Sequence, residues 1–152
     1  MTSIYLASSE HIARLEPMVA AFHHAQGITR TTKHRIDALE PLLLGSPYGA
    51  IYLIGTQLAP MGYIAVTFKW SIELGGFEAI MDEFFIRDKV RGRGIGTQAV
   101  VKLLDTFLTY KILRLSLDVT NTSVQFKHFY ERFGFQVRQN YKFMTLTLMP
   151  ND

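Results

Sequence analysis

The rhythm of hydrophobic positions changes along the chain, and each change predicts an element. Residues 3–7 read as a short strand. Ser8 or Ser9 then caps a helical pattern with apolar residues at Ile12, Leu15, Val19 and Phe22, in which Pro17 predicts a kink or a restart and Gly27 an end. Thr32 is the expected cap of a second helix through Leu39, Leu42 and Leu43, which Gly45, Ser46 and Pro47 bring to a stop. The pattern next turns β-rich over Ala50–Thr56, Met61–Trp70 and Ala79–Ile86, with turn residues between the runs, so three consecutive strands form a meander. Val100, Val101, Leu104, Phe107 and Leu108 return to helical spacing over Ile95–Tyr110, with no glycine or proline after Gly96 to interrupt them. A strand over Arg114–Val119, a short helix over Val124–Arg132 ending at Gly134, and two last strands with a turn near Gln139 and Asn140 complete the reading.

The predicted order is β α α β β β α β α β β, an α+β fold, that is an α/β sandwich built on a mixed, mostly antiparallel sheet. The strand, loop, helix and strand around residue 90 require one right-handed parallel crossover. With 152 residues and no linker-like stretch, residues 1–152 are expected to form a single domain that buries roughly two-thirds of its unfolded surface.

Composition narrows the function classes. Sixteen Lys and Arg against thirteen Asp and Glu give a net charge of +3, short of the dense basic face of a nucleic-acid binder and sufficient for a small anionic ligand. No apolar run reaches membrane-spanning length and the N-terminus lacks the features of a signal peptide, so the expectation is a cytoplasmic protein, monomer or homodimer, without membrane partners. Cysteine is absent, which removes disulfides, thiolate metal sites and any mechanism that parks a substrate on a cysteine sulfur. His23, His24 and His128 have no metal-ligand spacing and read as surface or packing residues; no metal is expected.

The densest chemistry lies in Ile86–Gly96, where Arg87, Lys89, Arg91 and Arg93 alternate with Gly92, Gly94 and Gly96 between a strand and a helix. The first amides of a helix have no partner inside it and carry the positive end of its dipole, so this junction is an anion site. Glycines let phosphate oxygens approach the main chain without meeting Cβ atoms. Gly94, Gly96 and Ala99 also fit the dinucleotide fingerprint, with Asp118 where a ribose-binding acid belongs, but the preceding meander and the short remaining chain leave no room for repeated βαβ units.

With these motifs the sequence resembles the GNAT superfamily of acyl-CoA N-acyltransferases. Arg91-Gly92-Arg93-Gly94-Ile95-Gly96 satisfies that family's R/Q-x-x-G-x-G/A loop, and Phe129–Phe135, reading FYERFGF, is similar to its tyrosine and Gly-Phe signature. The resemblance implies an N-acetyltransferase that uses acetyl-CoA as co-substrate and an amine-bearing small molecule or peptide as acceptor. It implies that Arg91, Gly92, Arg93, Gly94, Ile95, Gly96 and Thr97 surround the pyrophosphate. Phe84, Phe85 and Ile86 would offer main-chain groups to the pantetheine arm where the fourth and fifth strands splay apart. Asn121, two residues before Ser123, where the family often has asparagine, is the implied further contact to that arm.

Acetyl transfer to an amine needs a neutral nucleophile, a polarised thioester and a proton for the leaving thiolate. Without cysteine, direct attack in a ternary complex is the natural course. Tyr130 matches the family's general acid, and a phenol is protonated at neutral pH without tuning. Glu83 is the expected base or water relay, with Asp82 as second candidate, since strand alternation turns only one of them to the acceptor cleft unless a bulge intervenes. Glu73, Glu78, Asp82 and Glu83 together suggest a negative rim for a cationic amine. A non-catalytic acyl-CoA sensor and a nucleotide-binding module are the other readings; turnover of an amine separates the first, and binding of NADH in place of acetyl-CoA the second.

Overall fold

Three long strands, β2 (Gly49–Gly55), β3 (Pro60–Ser71) and β4 (Gly76–Ile86), form the meander that the alternating pattern predicts. The computed structural model describes residues 2–119 and 124–149, which divide by their contacts into a unit up to Leu117 and a second from Asp118. In the first unit β1 (Ile4–Leu6) joins β2 antiparallel, and β5 (Arg114–Ser116) joins β4 parallel, giving the order β1-β2-β3-β4-β5. This is the mixed, mostly antiparallel sheet with one parallel pair.

Helices α1 (Ile12–Ala25) and α2 (Thr32–Leu43) pack on one face of the sheet. Leu15, Met18 and Val19 of α1 and Leu39 and Leu43 of α2 share a buried cluster with Ile51, Leu53, Tyr63, Ala65 and Phe85, the inward-facing positions of three strands. A 3-10 turn over Ser9–His11 leads into α1, and Pro17 sits inside α1 without ending it, its ring forgoing the one bond to the carbonyl four residues back. The cap of α2 is Thr31, one residue earlier than expected, with its Oγ1 accepting the His34 N–H at 3.0 Å. Helix α3 (Ile95–Thr109) covers the opposite face, where Phe107 packs edge-on against Tyr52 and Phe68. Its buried stripe is Ile95, Ala99, Val100, Leu103 and Phe107, so the packed face is turned from the predicted one toward Leu103 and away from Val101 and Leu108.

The second unit contains α4 (Val124–Glu131) and a turn at residues 139–140, where Tyr141 N–H reaches the Arg138 carbonyl at 3.3 Å. The two predicted last strands are not formed among the described residues. Alternation supplies the pattern of a strand, but a strand exists only with a hydrogen-bonded partner, and residues 135–149 have no ladder here. The strand predicted over Arg114–Val119 likewise stops at Ser116.

The parallel ladder runs only from Glu78↔Arg114 to Ile80↔Ser116, while β4 continues to Ile86 on β3 alone. Its near end is clamped by Glu78. This acid, expected on an exposed rim, is 5% exposed; its Oε2 accepts the Ser116 hydroxyl at 2.9 Å and lies 2.8 Å from Arg114 Nε, with Lys69 Nζ 3.7 Å from Oε1. A buried carboxylate is tolerable only with such partners. Glu78→Gln keeps the shape and removes the charge that holds Arg114, and is expected to cost about 2 kcal/mol, read as a lower midpoint in urea with an unchanged slope.

Candidate active site

On the face covered by α1 and α2, a bulge interrupts β4. Ala65 pairs with Glu83 and Val66 with Met81, so Asp82 is an extra residue in the ladder. Regular alternation would put Asp82 and Glu83 on opposite faces; the bulge lets both line one cavity of about 120 Å³ between the helix pair and the sheet. Val19, Leu39, Leu42, Ile51, Tyr63 and Ala65 give that cavity its apolar walls, while His23, His34 and Arg35 also border it.

Both oxygens of Glu83 accept hydrogen bonds. Tyr63, fully buried, donates its hydroxyl to Oε1 at 2.7 Å, and His23 Nε2 lies 2.7 Å from Oε2. Since an ionised carboxylate can only accept, the imidazole proton is assigned to Nε2, leaving Nδ1, a buried atom with no hydrogen-bond partner among the described residues. Burial, then the Glu83 charge and hydrogen bond, push the Tyr63 phenol far above the ordinary tyrosine range, so it remains a donor. Arg35 contributes little free charge: Nε binds Glu16 Oε1 at 2.7 Å, Nη1 the Arg30 carbonyl at 2.8 Å and Nη2 the Thr32 hydroxyl at 3.2 Å. These bonds brace the segment between α1 and α2.

Four residues past Glu83 the strand gives way to the glycine loop. A 3-10 turn at Asp88–Val90 is followed by Gly92 and Gly94, both at φ +77°. An L side chain is strained in that region, yet a Cβ at either glycine would meet nothing within 4 Å, so the glycines serve backbone shape and leave the space above them open. Gly94 caps α3, and the first helical bond is Gln98 N–H to the Gly94 carbonyl at 3.1 Å. The amides ahead of Gln98 therefore lie outside the helical ladder, at the positive end of the dipole.

Arg91 is tied into the loop itself. Its Nε donates to the Ile86 carbonyl at 2.8 Å, its Nη1 meets Asp88 Oδ1 at 2.7 Å, and its guanidinium carbon lies 5.8 Å from the Phe85 ring centre. Arg93 is exposed, Ile95 is buried in the core, and Gly96 and Thr97 are half-buried in the first turn of α3. Phe85 turns its ring inward against Tyr63, whereas Phe84 and Ile86 are half-buried.

In the second unit, Tyr130 lies on α4 with Phe129 and Phe135 edge-on at 5.1 and 5.6 Å. Burial pushes its phenol up to about 12, which keeps it protonated over the whole physiological range. Asn121 and Ser123 lie outside the described residues. Among those described, no group of three or more His, Asp or Glu is placed to hold a metal ion.

A family model, the acetyltransferase (GNAT) family, matches residues 17–135. The chain belongs to this family. The match runs across both units. No curated protein matches the chain at a significant level. Among solved structures, the GNAT chain is similar to an integron cassette protein from the mobile metagenome of Cole Harbour Salt Marsh, at 24% identity over 97% of this chain and 91% of that one, with a TM-score of 0.84. It is similar to a ribosomal-protein-alanine N-acetyltransferase from Brucella melitensis biovar Abortus 2308 at 14% identity, over 97% and 100% of the two chains, TM-score 0.77. An aminoglycoside acetyltransferase from an uncultured soil metagenomic sample matches at 15% identity over 98% and 99%, TM-score 0.72. At such identities the likeness shows the shared GNAT fold.

The sequence reading missed His23 and Tyr63 and set His23 aside as a packing or surface residue. A signal existed: His23 falls four residues after Val19 and eight after Leu15, on the buried stripe of α1. A polar side chain at such a position needs a partner on the facing element, and Glu83 is that partner.

Both buried phenols have folded-state pKa values above the unfolded value near 10, so the neutral form is favoured by folding and the stability it brings is lost as pH rises from about 10 toward 12. Unfolding by urea is expected to show a loss of about 2–3 kcal/mol between pH 9 and pH 11, and the double variant Tyr63→Phe, Tyr130→Phe should flatten that slope.

Proposed function

We propose that this GNAT protein is an acetyl-CoA-dependent N-acetyltransferase acting on a primary amine by direct attack in a ternary complex, with residues 1–152 as one catalytic domain. The observation that carries the reading is the layout of β4, which holds two carboxylates at a small cavity and, four residues on, opens into a glycine-lined helix N-terminus suited to phosphates. Gly92, Arg93, Gly94, Ile95, Gly96 and Thr97 would hold the pyrophosphate, Arg91 would keep the loop in shape, and Phe84, Phe85, Ile86 and Asn121 would meet the pantetheine arm. Acetyl-CoA supplies the activated acyl group.

The residues of the chain then divide the proton work. Glu83, held by Tyr63 and His23, takes the proton of the acceptor ammonium through a water, so that a neutral amine attacks the thioester carbonyl. The C–N bond forms as the C–S bond breaks, Tyr130 donates its phenolic proton to the departing sulfur, and the second proton shed by the acylated nitrogen passes through water to restore the phenol. Asp82, brought to the same cavity by the bulge, adds negative charge that draws in the ammonium. The Brucella and soil neighbours are named for unlike acceptors and do not choose one for this chain.

Acetyl-CoA is expected to raise the melting temperature, phosphate-free pantetheine analogues far less, and Gly94→Asp to remove the effect, because a carboxylate then occupies the open space above the loop. Equal stabilisation by both ligands would show that the loop is not the anchor. Thiol release with a panel of amines tests turnover: acetyl-CoA binding with no acetylated amine would make the protein a sensor.

With a confirmed acceptor, Tyr130→Phe should lower kcat about 10²-fold at unchanged stabilisation by acetyl-CoA. Glu83→Gln should act mainly on kcat and Asp82→Asn mainly on KM. Reversal of that split would move the base to Asp82.

A further inference from the structure

We propose that the acceptor is a primary amine on a slender, unbranched aliphatic body, and that the cavity beside Asp82 and Glu83 selects it by size and apolarity. This rests on the acetyltransferase reading above. Three features of the cavity converge on that class. Its volume, about 120 Å³, is well below the ~300–1,000 Å³ that drug-sized ligands occupy. Its apolar walls are Leu39 and Leu42 from α2 and Ile51 and Ala65 from the sheet, with His23, His34 and Arg35 at its border.

Charge orders the two ends. Asp82 and Glu83 stand on β4 at the cavity and attract an ammonium. The amine therefore lies at β4 and the aliphatic body against Leu39, Ile51 and Ala65. Ala38, an exposed residue of α2 that also borders the cavity, leaves room for that body at its edge.

The test uses the full chain with acetyl-CoA and a series of n-alkylamines from methylamine to n-hexylamine, next to a capped lysine peptide and an aminoglycoside. Each methylene seated in the cavity should raise kcat/KM about fourfold, so n-butylamine should exceed methylamine by at least tenfold and exceed the aminoglycoside by more. Activity on the capped lysine at the level of n-butylamine would identify a protein side chain as the source of the amine; activity confined to the free alkylamines would identify a small molecule. Ala38→Leu narrows the cavity from an exposed helical position and should erase the rise from methylamine to n-butylamine while leaving the thermal shift with acetyl-CoA unchanged. A flat alkylamine series, or an aminoglycoside turned over as well as n-butylamine, overturns the size selection and leaves the acetyltransferase reading standing. If no amine is acetylated while acetyl-CoA still binds, the acetyltransferase reading itself fails.

Discussion

The extra residue in β4 organises the face of the sheet on which the acids meet the helices. A strand turns successive side chains to opposite faces, so two adjacent acids cannot both reach one cavity without a break in the ladder. The register shift from Val66↔Met81 to Ala65↔Glu83 supplies that break. Glu83 then lies among apolar side chains, where a carboxylate without donors would be costly. Tyr63 from β3 and His23 from α1 provide one donor for each oxygen. Position and satisfaction of Glu83 are thus a single structural fact that ties the first helix to the centre of the sheet.

The same strand also sets where the ladder with β5 ends. Glu78 clamps Arg114 and Ser116 at the near end, and pairing ends two residues later, at Ile80↔Ser116, just before the bulge. A bulge bends its strand and sharpens the local twist, which carries β4 away from a parallel neighbour that pairs only over three residues. The end of the parallel ladder, the acids and the entry to the glycine loop follow one another along seven residues of β4, from Ile80 to Ile86.

Much of this was legible in the sequence. The helices and strands up to Ser116 fall within a few residues of their predicted bounds, because long segments with one buried face carry a strong period, as in β3 from Pro60 to Ser71 and α3 from Ile95 to Thr109. Glycine at positions 92 and 94 marked the space that stands open above the main chain. What stayed hidden depended on partners distant in the chain. Nothing local tells that Glu78 is buried on Arg114, that His23 meets an acid sixty residues on, or which of two adjacent acids a bulge will rotate. The last strands failed for the same reason, since their alternation is local but a ladder is not.

That division also fits a fold shared with proteins at 14–24% identity. The loop ahead of α3 is built from backbone amides and the room that glycines leave, so it asks little of side chains outside a short segment and tolerates wide drift elsewhere. The cavity under α1 and α2 is built from side chains alone: each of Leu39, Leu42, Ile51 and Ala65 can change size within the same fold, and each change reshapes a space of about 120 Å³ by a large fraction. A few substitutions on those walls would therefore reshape the cavity without disturbing the loop or the acids.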